Sequence, residues 1–227
     1  SGRWPGADGA PIPPSRFVPA LTREGLALAF VERLVAESCE LVEEVARAGL
    51  GGSVPIRVAV NVSLLALADA SLADRLTEMV QRRGQDPRRF VWELDDVALA
   101  RAPATALSVL TRLRVKGFGL SMSNCGVGPT WTHQLGRVPL TELKLDRRLV
   151  DAATEDPKRF VMLESALASA RDLGLPVVAD GCDSSADFNT LLALGCSEAQ
   201  GRFVGEPVLG ADMVARALTG YRPGGPR

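Results

Sequence analysis

The sequence predicts an α/β protein folded as a TIM-like (β/α)8 barrel, and three observations carry that expectation. Short apolar runs of strand length alternate with helix-length amphipathic segments, a pattern that calls for parallel strands joined by crossovers. Nearly every apolar run ends in polar residues: Asn61, Glu93, Ser123 and Asn124, Lys144 and Asp146, Asp180 and Asp183, and Gln200. A barrel gathers all such ends on one face, whereas an open sheet brings only those at its switch point to one ligand. The length, 227 residues, suits one barrel of ordinary size.

Taken in order, residues 1–20 read as a strand end and a loop, with Pro11, Pro13 and Pro14 blocking regular structure. A single long amphipathic helix is predicted over 21–48, with Thr22 as N-cap, Glu24 in its first turn, Leu26, Phe30, Leu34 and Cys39 on one face, and Gly49, Gly51 and Gly52 ending it. The β-branched run 55–63 is the first clear buried parallel strand. Helix 70–83, closed by Gly84 and Pro87, leads to strand 89–96, and helix 103–116 leads to strand 118–122. Strand 142–146, helix 157–173, strand 175–183, helix 184–194, the short strand 196–201 and a last helix over 210–219 complete the alternation. The expectation is one domain over 1–220, its first strand truncated, with a flexible tail at 221–227. No repeat, low-complexity segment or interdomain linker interrupts it.

Composition narrows the function. Hydrophobic residues make up 46% and charged residues 23%, with a net charge of −1 and no basic run or stripe. That argues against a nucleic-acid polymer or a membrane surface as partner. Apolar stretches are broken by charge too often to span a bilayer, and the opening residues carry no secretory h-region. Cys39, Cys125, Cys182 and Cys196 show no C-x-x-C spacing and read as reduced thiols of a cytoplasmic protein. With His133 the only histidine, a zinc site is not expected, and any metal would be held by oxygen, pointing to magnesium, manganese or calcium.

Asn61, Glu93, Lys144, Asp180 and Gln200 would together make a mixed-charge basin. Singly, Asn61 could be a turn residue or helix cap, and Glu93 with Asp95 and Asp96 could be a solvated acidic loop. Lys144 closes an apolar strand, where an ammonium needs an anionic partner or ligand, so it is expected to point into the basin. Gly126-Val127-Gly128 is a tight turn rather than a phosphate loop, since no GK[ST] follows. His133 reads as a surface or structural residue and Trp131 as core. No serine sits in a G-x-S-x-G elbow, which argues against a Ser/His/Asp hydrolase.

These residues resemble the EAL-domain family, the cyclic di-GMP phosphodiesterases. The family's D-D-F-G-T-G-Y-S-S-L and L-P-V-x-x-L-K-I-D are similar to S-N-C-G-V-G-P-T-W-T (123–132) and V-P-L-T-E-L-K-L-D (138–146). Its A-E-G-V-E aligns with A-D-G-C-D (179–183), its L-G-C-x-x-x-Q-G with residues 194–201, its N-x-S with Asn61-Val62-Ser63, and its E-x-T-E with E-L-D-D (93–96). The opening P-I-P-P-S-R-F-V-P also resembles the family's G-x-I-x-P-x-x-F-I-P. The resemblance implies a barrel variant with one reversed strand. It also implies a two-metal site, whose carboxylates hold two Mg²⁺ or Mn²⁺ ions about 3.5–4 Å apart around a water.

The departures bear on that chemistry. Ser123 and Asn124 stand where the family has its metal-binding Asp pair, and Asp180 and Asp183 replace glutamates. The E-A-L glutamate has no counterpart among the residues given. Of the implied metal ligands, Glu93 and Asn61 are unchanged. Arg3 matches the family's phosphate-pairing arginine, Lys144 is retained, and Gly181, Gln200, Gly201 and Pro207 match positions lining the ligand site. The resemblance thus points to a catalytically inactive receptor for cyclic di-GMP that needs no metal cofactor. Upstream signalling domains or a protein partner, and a homodimer, are the expected company. The alternatives are an interaction scaffold without nucleotide and, last, a residual Mg²⁺- or Mn²⁺-dependent phosphodiesterase.

Overall fold

The structure, a computed structural model, describes residues 4–5, 10–49, 56–128, 131–151, 153, 156–208 and 210–218. Strands β1 (Trp4–Pro5) and β2 (Pro11–Ile12) pair antiparallel in a separate ribbon. Helices α1 (Pro14–Arg23) and α2 (Ala27–Arg47) follow. Then come β3 (Val58–Asn61), α3 (Leu72–Arg82), β4 (Phe90–Asp95), α4 (Asp96–Ala100), α5 (Ala104–Val115) and β5 (Gly119–Cys125). The chain continues through β6 (Glu142–Leu145), α6 (Arg147–Val150), α7 (Pro157–Asp172), β7 (Val177–Asp180), α8 (Ser185–Ala193), β8 (Glu198–Gln200) and α9 (Gly210–Leu218). Strands β3 to β8 form one parallel sheet in chain order.

The first stretch departs from expectation. Residues 14–23 are helical rather than loop, because Pro14 occupies the first helical position, where its missing N–H costs nothing. The predicted single helix is two. Gly25, at φ +70, breaks the chain between α1 and α2, so Thr22 lies inside α1 and caps nothing in α2. The Phe17 and Phe30 rings, 5.4 Å apart, pin the two helices together. Gly49 does end the second helical stretch, while Gly51 and Gly52 lie outside the described residues.

Side-chain parity defines the two faces of the sheet. Phe90, Trp92, Leu120, Met122, Leu143, Leu145, Val177 and Ala179 point outward and are buried beneath the helices. Val35 and Cys39 of α2, Leu76 and Val80 of α3, and Leu110 and Leu113 of α5 belong to the same core. The opposite parity carries the polar residues inward.

The sheet is curled, and Arg57 shows it. Its guanidinium, just before β3, lies 2.7 Å from Glu142 on β6 and 2.7 Å from Glu198 on β8. In a flat sheet β3 and β8 would stand about 24 Å apart. One side chain reaches both only because the sheet rolls into a barrel wall. No helix among the described residues is long and apolar enough to cross a membrane.

The clamp predicts a stability defect. Arg57→Met leaves Glu142 enclosed without its cation and should cost about 2 kcal/mol in urea unfolding, while Arg57→Met with Glu142→Met should recover most of that loss. A single-variant loss under about 0.5 kcal/mol would refute the clamp's role.

Candidate functional site

The C-terminal ends of β3 to β8 bring together the residues singled out in the sequence. Asn61 pairs in register with Glu93, Asp95 with Ser123, and Asp180 with Gln200. The Lys144 ammonium on β6 lies 2.8 Å from the Glu93 carboxylate on β4, bridging over β5. Both are largely enclosed, Lys144 being 15% exposed and Glu93 6%. The expectation that Lys144 faces the basin is met, and its anionic partner is Glu93.

The segment around Ser123 and Asn124 differs from a simple loop. Strand β5 runs on through Cys125, with its register to β6 shifting between Met122 and Cys125. Asn124 adopts φ 61, a left-handed conformation that Asn tolerates, and its amide donates to the Asp95 carboxylate. Asp95 also accepts from the Val97 and Ala98 N–H groups, capping α4. The stretch 93–96 is therefore a strand running into a helix rather than a solvated acidic loop.

Asp96 is nearly buried, at 4% exposure. Burial, then the neighbouring Asp95 charge, pushes its carboxyl above the usual aspartate range; the Val97 N–H opposes this and Asp146 adds to it. Asp146 shows the reverse, with hydrogen bonds from Arg148 holding it below that range despite burial. Asp146 also caps α6. Leu149 and Val150 of α6, within the charged stretch after it, are buried.

At the β7–β8 corner, Asp183 is enclosed by cations. Arg147 donates to it at 2.7 Å, and Arg202 donates through its backbone N–H at 2.8 Å and its Nε at 3.1 Å. The Arg202 backbone bond first, and then its side chain and Arg147, hold the Asp183 carboxyl below its usual range against the cost of burial. Two glycines permit this packing. Gly181 sits at φ +94, and a Cβ there would lie 2.6 Å from the Arg147 Cβ; a Cβ on Gly201 would lie 2.2 Å from the Cys182 carbonyl oxygen. Asp180 has no side-chain partner among the described residues.

Other expected residues fall differently. Arg3 lies outside the described residues. Pro207 lies with Asn61 along a mainly apolar cavity of about 1180 Å³ between α1, α2 and β3, lined by Phe17, Phe30 and Leu34, whose lining includes neither Glu93 nor Lys144. His133 is exposed, and Trp131 is buried at 5% exposure.

Sequence reasoning missed Arg57, Ser121, Glu142 and Glu198, all on the inward face. Strand parity could have found them: Ser121 is two before Ser123, Glu142 two before Lys144, and Glu198 two before Gln200. It also missed Arg147 and Arg202, which no spacing announced.

Polar strand ends gathered on one face of a curled parallel sheet define an α/β barrel with its chemistry at the C-terminal rim. The chain belongs to the EAL domain family, whose model matches residues 2–207. Relatives from Pseudomonas aeruginosa include the bifunctional diguanylate cyclase/cyclic di-GMP phosphodiesterase MucR, 29% identical over 94% of this chain and 31% of its own length. The cyclic di-GMP phosphodiesterase RocR is 29% identical over 91% of this chain and 52% of its own length. The chain thus spans about a third to a half of these relatives. The structure described as the PaMucR phosphodiesterase in complex with c-di-GMP superposes with a TM-score of 0.82 at 28% identity, covering 93% of this chain and 84% of that one. The FimX EAL domain from Pseudomonas aeruginosa, bound to c-di-GMP, shares the fold with a TM-score of 0.80 at 18% identity, over 90% of this chain and 81% of that one.

Asp96 gives a pH prediction. Its folded pKa is raised, so its penalty is absent below the unfolded value near 3.9 and sets in as pH rises through the folded value. Asp96→Asn should therefore raise the urea midpoint at pH 7, and the gain should vanish by about pH 3. An equal gain at both pH values would assign it to something other than charge.

Proposed function

We propose that this chain is a catalytically silent EAL domain that binds cyclic di-GMP as a receptor and passes that state to a protein partner. The observation carrying this reading is the donor set of the basin. A dinuclear site needs several anionic oxygens converging on two hard cations. Here Ser123 and Asn124 supply neutral groups, Glu93 is paired with Lys144 at 2.8 Å, and Asp183 is held by Arg147 and Arg202. Asn61 and Asp180 remain. Such a set does not fit two Mg²⁺ or Mn²⁺ ions. Among the described residues no group of three or more His, Cys, Asp or Glu side chains is arranged for a metal.

The same residues suit a dianionic dinucleotide. Lys144 offers a cation at the basin floor, and Gln200, with Gly181 and Gly201 beside it, lines the β7–β8 side. Four free cysteines fit a reducing cytoplasm. The P. aeruginosa relatives are longer than this chain, so fused signalling domains are part of the proposal.

An interaction scaffold is the second reading, and one surface favours it. Phe160, Val161 and Met162 at the start of α7 are 36%, 60% and 39% exposed, a run of apolar side chains suited to a partner or a second copy.

Calorimetry with cyclic di-GMP in EDTA tests the proposal. Binding at micromolar concentrations, unchanged by Mn²⁺ and without conversion to the linear dinucleotide, is the expected result. Absence of binding at tens of micromolar leaves the scaffold reading. Mn²⁺-dependent hydrolysis abolished by Glu93→Ala would falsify the silent reading.

A further inference from the structure

The corner that holds Asp183 has more donors than its acceptor can use. One enclosed carboxylate, 8% exposed, faces two guanidiniums, with Arg147 55% and Arg202 66% exposed. Each guanidinium carries five N–H donors. Arg147 uses Nη2 and Arg202 uses Nε and Nη2 on Asp183. Neither has another side-chain or carbonyl acceptor among the described residues. The trio carries a net positive charge, and its unused N–H groups belong to half-exposed side chains.

The mounting is stiff. Arg147 opens α6 directly after the β6 end and packs its Cα and Cβ on Gly181. Arg202 follows Gln200 and Gly201, where the β8 end crosses the Cys182 backbone. Asp183 is tied in turn through its own N–H to Asp187, whose carboxylate completes the capping box of α8. Three consecutive strand ends thus hold two forked cations beside the basin residues Lys144, Asp180 and Gln200. Asp180, the neighbouring carboxylate, sits on the inward parity of β7 in register with Gln200. A forked pair of arginines matches the non-bridging oxygens of a phosphate.

We propose that Arg147 and Arg202, set by Asp183, form a phosphate subsite at the rim of the basin that takes the non-bridging oxygens of a nucleotide phosphate. For cyclic di-GMP as the nucleotide, this rests on the receptor reading above. In a basin whose carboxylates do not gather two dications, the arginines supply the positive charge that faces the phosphate.

Two measurements keep the ideas separable. In EDTA, Arg147→Met and Arg202→Met should each weaken cyclic di-GMP about tenfold. Arg82→Met, an equal loss of charge on exposed α3, should change affinity less than twofold, with melting temperatures reported for all three. Affinities within twofold of the parent at both clamp positions overturn the subsite while leaving the receptor reading standing. If the parent protein does not bind the dinucleotide, the receptor reading fails and pyrophosphate decides the subsite. The Arg202 Nε–Hε resonance should shift saturably with pyrophosphate and lose that response in Arg147→Met. A resonance that does not move, or moves equally in the variant, overturns it.

Discussion

Arg57 reaches two carboxylates on strands that a flat sheet would hold far apart, and the rest of the molecule depends on the curl this contact records. Strands β3 and β8 are the ends of the hydrogen-bonded ladder, so no backbone bond between them closes the wall. The bridge to Glu142 and Glu198 crosses the interior instead, at the N-terminal ends of the strands. Closing the floor in this way aims the opposite ends at one another. Asn61, Glu93, Lys144, Asp180 and Gln200 share a basin because of it.

Above that floor the interior is built from charge pairs with little to spare. Glu142 is met by Arg57 and Glu93 by Lys144, each carboxylate about 6% exposed. Between them in register lies Ser121, fully buried, whose hydroxyl has no partner among the described residues. Enclosed charges are tolerable only when paired, so the pairing both satisfies the fold and commits Lys144 and Glu93 to each other. A ligand that draws on either must offer the other an equivalent contact. A cation that takes Glu93 strands an ammonium, and a phosphate that takes Lys144 leaves Glu93 in need of another donor.

The sheet was legible because its outward residues form near-continuous apolar runs: β4 and β7 were found within a few residues on that signal alone. The basin was legible because its polar residues interrupt those runs at their ends. The failures have local causes. Gly25 sat inside a periodic apolar pattern and was overridden by it, although its left-handed backbone decides where α1 stops. Pro13 and Pro14 read as breakers in the sequence, but their position makes them the cap and first residue of α1. The floor residues were hidden because Arg57, Glu142 and Glu198 begin strands, where a charge reads as loop until the parity of the strand is followed inward. Arg147 and Arg202 meet on Asp183 only through the close approach of two glycine turns, and no single-sequence pattern encodes that distance.

Asn124 ties the charge of the basin rim to the start of a helix. Its left-handed backbone would accept aspartate as well as asparagine, so the backbone itself does not bar an acidic side chain there. The barrier is its neighbour: the Asn124 amide donates to Asp95, and Asp95 is already the cap of α4. Exchanging that donor for a carboxylate would set two anions against each other unless a cation arrived in the same step. Ser123 stands in register with Asp95 but makes no such bond to it. The two positions are therefore unequal: a carboxylate at 124 would replace a donor to the very group that caps α4, so its charge there is coupled to the start of a helix.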